Sequence, residues 1–140
     1  RPVVVLDVAH NPQAAAVLAD DLAGMNFFPE TYAVFGMLRD KDIEGVCRAM
    51  KGQISTWLAT GLSVPRGANT QMLADALARA DVTTRGVFYF ESPREAYAAA
   101  RRRASENDRI VAFGSFHTVA EVMQAIEAER AASRRSRRES

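Results

Sequence analysis

Val3-Val4-Val5-Leu6 runs straight into Asp7-Val8-Ala9-His10-Asn11-Pro12, and Gln13–Ala23 beyond that loop has helical period. A short β-branched run with no polar side suits a strand buried on both faces, as in a parallel sheet covered by helices. The unit recurs. Tyr32-Ala33-Val34-Phe35, Ile54-Ser55-Thr56-Trp57-Leu58-Ala59, Val87-Phe88-Tyr89-Phe90 and Ile110-Val111-Ala112-Phe113 are further candidate strands. Ile43–Met50, Asn69–Ala80, Arg94–Ala104 and Val119–Ala128 are the matching helical segments. Leu18 with Leu22, Leu73 with Leu77, and Val119 with Met123 and Ile126 recur at three- and four-residue spacing, so each set shares one helix face. Gly24, Gly52 and Asn107 follow the first, second and fourth helices, where a left-handed residue commonly ends the last turn. Strand and helix alternating in this way predict an α/β fold, a doubly wound and mainly parallel Rossmann-like sheet of about five or six strands with helices on both faces. Ligands of such sheets sit beyond the carboxyl ends of the strands, so the strand-to-helix loops are the place to look for chemistry.

Composition agrees with one globular core. The chain has 140 residues, 48% hydrophobic and 25% charged, with no apolar run of the ~18 residues that a membrane helix needs. Its first residues lack the layout of a signal peptide, which points to the cytoplasm and away from a membrane. Cys47 is the single cysteine, so no intrachain disulfide is possible; it lies in a helical pattern and is expected to be a buried structural thiol. A net charge of +1 conceals Arg130, Arg134, Arg135, Arg137 and Arg138 near the end. With no aromatic residue among them and no apolar period, residues 130–140 are expected to form a solvated, disordered tail after a domain spanning 1–129. No nucleic-acid partner is expected, and a monomer is.

Three loops carry the chemistry. The first sets an acid, Asp7, an imidazole, His10, and an amide, Asn11, between a buried strand and a helix; Asn11 is also placed to cap that helix, with Pro12 in its first turn. The second, Phe35-Gly36-Met37-Leu38-Arg39-Asp40-Lys41-Asp42, presents two cations that either hold a carboxylate or phosphate or are plain surface charges. Asp40 or Asp42 is placed to cap the helix after it. The last, Phe113-Gly114-Ser115-Phe116-His117-Thr118-Val119, leads into the final helix, and Ser115 or Thr118 is a candidate cap, with Glu121 completing a box from Thr118. A free helix start favours an anion there. The sequence contains no Gly-x-x-x-x-Gly-Lys-[Ser/Thr] phosphate loop, no Gly-x-Gly-x-x-Gly fingerprint after the first strand and no Cys/His cluster of zinc spacing. No metal site is expected.

Taken together, Leu-Asp-Val-Ala-His-Asn-Pro, Val-Phe-Gly-Met-Leu-Arg-Asp-Lys-Asp and Ala-Phe-Gly-Ser-Phe-His-Thr-Val-Ala-Glu-Val resemble the C-terminal domain of the bacterial bifunctional dihydrofolate synthase/folylpolyglutamate synthase family, within the Mur ligase superfamily. The resemblance covers roughly Val3 to Glu127. It implies an ATP-dependent amide ligase in which a folate or pteroate carboxylate is phosphorylated and the amine of L-glutamate displaces phosphate. It further implies that the phosphate loop and the Mg2+ sites lie on a preceding domain, and that this segment is inactive alone. Position by position, Asp7 would accept from the ATP ribose, Asn11 would shape the same loop, and His10 would lie beside the reacting groups. Arg39 and Lys41 would lie near the incoming glutamate, and Ser115 with His117 would close the glutamate side. Two rivals stand beside this reading: the C-terminal domain of a Mur-type ligase of peptidoglycan precursors, and a non-catalytic α/β module that binds a small anion.

Overall fold

The computed structural model describes residues 1–82 and 86–139. Strands β1 (Val3–Leu6), β2 (Thr31–Phe35), β3 (Thr56–Thr60), β4 (Gly86–Phe90) and β5 (Arg109–Phe113) alternate with helices α1 (Pro12–Ala23), α2 (Ile43–Met50), α3 (Thr70–Arg79), α4 (Pro93–Arg103) and α5 (Phe116–Glu139). Every pairing is parallel, in the order β1-β5-β2-β3-β4. Strand β5, between β1 and β2, aligns Val111 with Val5 on one side and with Ala33 on the other. All five of its residues are buried.

Because side chains alternate across a strand, β2, β3 and β5 feed two cores at once. Phe35, Trp57 and Phe113 point to one face, where Leu18, Leu22, Val46, Met50, Leu73 and Leu77 of α1, α2 and α3 cover them. Val34, Leu58, Ile110 and Ala112 point to the other, against Ala96 and Ala100 of α4 and Val122 and Ala125 of α5. The three aromatic rings interlock. Phe35 meets Trp57 edge-on at 5.3 Å and Phe113 at 5.2 Å between centroids.

Each helix opens on a short polar side chain that satisfies a free amide. Asn11 accepts from Ala14 N (2.8 Å), Asp42 from Gly45 N (2.9 Å), Asn69 from Met72 N (2.9 Å), Ser92 from Glu95 N (3.2 Å) and Ser115 from Thr118 N (3.1 Å). Ser115 is therefore the cap of α5, which begins at Phe116. The alternative box from Thr118 does not form, and Glu121 instead accepts from Arg94 N at the start of α4.

Helix ends differ from expectation. Gly24 ends α1 with φ −80°, Gly52 lies inside a 3-10 turn at Lys51–Gln53, and α4 passes into extended backbone at Ala104, before Asn107 is reached. Among the described residues the left-handed positions are Asp81, after α3, and Gly114, after β5. Ile54, read as the start of β3, caps the 3-10 turn and is buried there, so that strand starts at Thr56. Residues 130–139, expected to be disordered, continue α5 as helix. Their alanines, arginines and glutamate are good helix formers. The turn before them is anchored at Glu129, which accepts from Tyr97 Oη (2.7 Å) and Arg101 Nε (2.9 Å) of α4. No helix of the described residues is long and apolar enough to cross a membrane.

Cys47 is fully buried and unpaired. Burial, with Glu44 and Asp42 nearby, pushes its thiol from 9.0 up to about 12. Burial and the carboxylate of Glu129 push the Tyr97 phenol up as well. Both groups hold their protons more tightly folded than unfolded. Their contribution is thus complete below the unfolded values and is lost as pH rises through the folded ones, so the melting temperature should fall as pH climbs from 9.0 toward about 12. At about pH 8 a thiol reagent should modify Cys47 only after denaturant is added, since the thiolate is the reactive form. Rapid modification of the folded protein would show that the thiol is not enclosed.

Candidate functional site at the carboxyl edge

The loops after β1, β2, β3 and β5 meet at the carboxyl edge of the sheet. The first is held by Asp7 N, which donates to Ala112 O (3.0 Å) on β5. Asp7 Oδ1 then accepts from Ala9 N (2.9 Å), a tight turn that fixes the half-buried carboxylate and leaves Oδ2 as its acceptor toward a ligand. His10 is exposed, and its Nδ1 lies 3.0 Å from Val8 O. A carbonyl only accepts, so Nδ1 donates in this contact and Nε2 is the ring atom left to meet a ligand. Asn11 Oδ1 is committed to capping α1, which leaves Nδ2 as the atom able to meet a ligand.

The second loop is bound to the third. Ala68 N donates to Met37 O (2.9 Å), Arg39 N to Arg66 O (2.7 Å), and Leu38 pairs with Gly67. An ion pair joins Arg66 to Asp40 and holds the Asp40 carboxyl below its usual range; both partners are about half exposed, so the pair adds little stability. Arg39 and Lys41 line one groove of about 290 Å³ with Asp42, Asp75 and Arg79, between the start of α2 and the length of α3. It offers both signs of charge, as an amino acid zwitterion requires.

His117 lines a different groove, of about 190 Å³, with Ser63, Glu121 and Gln124. Arg39 and Lys41 therefore do not share a groove with His117. Ser115 lies where the second and last loops touch, 4% exposed, with its hydroxyl 2.8 Å from that of Thr118. The third loop was missed as a site element from sequence. Its signal was Gly67, where a Cβ would stand 2.5 Å from Leu62 O, so that only glycine lets the loop close on itself.

No group of three or more His, Cys, Asp or Glu among the described residues could hold a metal ion. Asp7 offers a fixed carboxylate acceptor beside the half-buried start of α1.

Fold, strand order and loop placement define a doubly wound α/β domain with its polar loops gathered at one edge, the class from which nucleotide-using ligases draw a domain. The chain belongs to the Mur ligase family, whose glutamate ligase domain matches residues 1–116. It is similar to the dihydrofolate synthase/folylpolyglutamate synthase of Escherichia coli strain K12, 38% identical over 129 residues that cover 92% of this chain and 29% of the relative. The solved structure of Escherichia coli FolC in complex with DHPP and ADP superposes with a TM-score of 0.82 at 38% identity, covering 91% of this chain and 29% of that one. A bifunctional folylpolyglutamate synthase/dihydrofolate synthase with Mn, AMPPNP and L-glutamate bound gives a TM-score of 0.79 at 38% identity, covering 90% and 29%. The chain thus spans under a third of the length of these relatives and matches their C-terminal domain.

Proposed function

We propose that residues 1–129 are the C-terminal domain of an ATP-dependent ligase that joins L-glutamate to dihydropteroate, folate or both, in the cytoplasm, with a phosphate-loop domain in cis. The observation that carries the reading is the Asp7 to Asn11 loop, which sets a carboxylate held by Ala9 N and an exposed imidazole together at the sheet's carboxyl edge. A module that only bound a small anion would have no use for a carboxylate placed there. A Mur-type ligase of peptidoglycan precursors would use the same loop, but the similar proteins named above are folate enzymes.

ATP supplies the phosphoryl group that activates the pterin substrate's carboxylate for attack by the glutamate amine. In this reading the Mg2+ sites lie on the other domain; among the described residues here, no group of three or more His, Cys, Asp or Glu could hold a metal ion. Asp7 Oδ2 accepts from the ribose hydroxyls, and Asn11 keeps the loop in shape by capping α1. His10 Nε2 faces the reacting groups, where an acceptor steadies the amine as it approaches and takes up its proton. Arg39 and Lys41 hold a glutamate carboxylate, and Ser115 and His117 close the glutamate side. The work of this domain is positioning and charge stabilisation.

The chain alone should release no ADP when given ATP, Mg2+, dihydropteroate and glutamate, because nothing in it cradles the β- and γ-phosphates. Its nucleotide affinity should be weak, as read by titration calorimetry. Substrate-dependent ADP release by the purified chain would overturn the division of labour.

A further inference from the structure

Thr118 is fully buried in the first turn of α5, yet its hydroxyl leaves the helix and crosses to another loop. Its Oγ1 donates to Gly36 O (3.0 Å), the first carbonyl after β2, and lies 2.8 Å from Ser115 Oγ. The two backbones are as close as they can be. A Cβ on Gly114, whose φ is +112°, would stand 2.4 Å from Gly36 O, and a Cβ on Gly36 would stand 2.8 Å from Thr118 Oγ1. From Gly36 the chain continues through Met37 and Leu38, both bonded to the third loop, to Arg39 and Lys41.

The donor count fixes the direction of the network. A hydroxyl has one hydrogen, and that of Thr118 goes to Gly36 O, so Ser115 must donate in the contact between the two hydroxyls. Ser115 Oγ also accepts from Thr118 N (3.1 Å). One lone pair remains. Toward a ligand Ser115 can therefore only accept, which excludes an ionised carboxylate and calls for an N–H or O–H donor; on an amino acid such as glutamate that donor is the amine.

We infer that Thr118 is a positioning residue for the amino-acid side of the site: its hydroxyl ties the loop bearing Arg39 and Lys41 to the loop bearing Ser115, and it fixes Ser115 as the acceptor for the substrate amine. The inference rests on the ligase reading above. Carboxylates then go to the cations of the second loop and the amine to Ser115, so the direction in which the amino acid binds is set by a residue that never touches it. Asp7 lies outside this network, anchored through Ala112 O and Ala9 N.

The test is steady-state kinetics on the longer ligase with Thr118→Val, which keeps the shape and removes the hydroxyl, and Thr118→Ser, which keeps the hydroxyl. Thr118→Val should raise KM for glutamate roughly threefold to tenfold, the worth of one neutral hydrogen bond, with KM for ATP unchanged. Thr118→Ser should restore KM for glutamate even if its melting temperature falls. Unchanged KM for glutamate in a folded Thr118→Val protein, or both constants moving together, would overturn the inference and leave Thr118 a buried structural hydroxyl. Should Thr118→Val fail to fold, a raised KM for glutamate in Thr118→Ser would overturn it equally. An unmodified ligase without glutamate-dependent turnover would overturn the functional reading itself, and this inference with it.

Discussion

In the longer ligase, His10→Ala is expected to lower kcat roughly tenfold to a hundredfold, and Asp7→Ala to raise KM for ATP by a similar factor, the worth of a hydrogen bond to a charged group. The two effects separate because the two side chains do different work. Asp7 is pinned by Ala9 N and Ala112 O and can do little but accept, a task realised as soon as the nucleotide binds. His10 is exposed, with Nδ1–H spent on Val8 O, so on the proposed reading its loss removes an acceptor near the reacting groups while costing the fold little. If the loop merely joined β1 to α1, Asp7→Ala would lower the melting temperature, and both variants would keep wild-type kinetics. Wild-type kinetics in both would remove this loop from the site.

Trp57→Ala should cost about 3–5 kcal/mol, a large part of the roughly 5–15 kcal/mol that holds a domain together. Trp57 has no exposed surface and packs into the helix-covered aromatic cluster with Phe35 and Phe113. Its Nε1 has no partner among the described residues. Trp57→Phe gives up that unpaired donor along with part of the ring, and should therefore cost much less than the loss of volume alone suggests. Thermal melts should show Trp57→Ala lower by roughly 10–20 °C, or unfolded, and Trp57→Phe close to wild type. Equal losses in the two variants would mean that the cluster is not packed as described.

The apolar runs made the sheet legible from sequence because a strand buried on both faces leaves no polar positions to confuse the period. β1 and α2 match their expected bounds, and Asn11, Asp42 and Ser115 cap the helices that their positions suggested. Helix ends were harder to read. Gly24 and Gly52 stand where a left-handed residue commonly ends a helix, yet glycine permits that conformation without requiring it, and α1 closes right-handed through Gly24 N bonding to Asp20 O. The basic end of α5 is hard to read because charge repulsion and helix propensity oppose each other there, and sequence alone does not weigh them. In the candidate site, the polar loops were legible one by one, but the way the fold groups them was not. Arg39 with Lys41 and His117 occupy separate grooves, a fact set by the strand order β5-β2-β3, which no local motif encodes. Thr118 looked like a cap; its role across the loops depends on a contact with Gly36, far away in sequence.

The most direct test is ADP release by the longer protein that contains this chain, assayed with dihydropteroate or folate plus L-glutamate, alongside the same protein lacking residues 1–140. The account predicts release that requires both the pterin substrate and glutamate in the intact protein, and its loss in the deletion although the remaining domain stays folded and binds nucleotide. Glutamate-dependent release that survives the deletion, or an intact protein that releases ADP with neither pterin substrate, would contradict it.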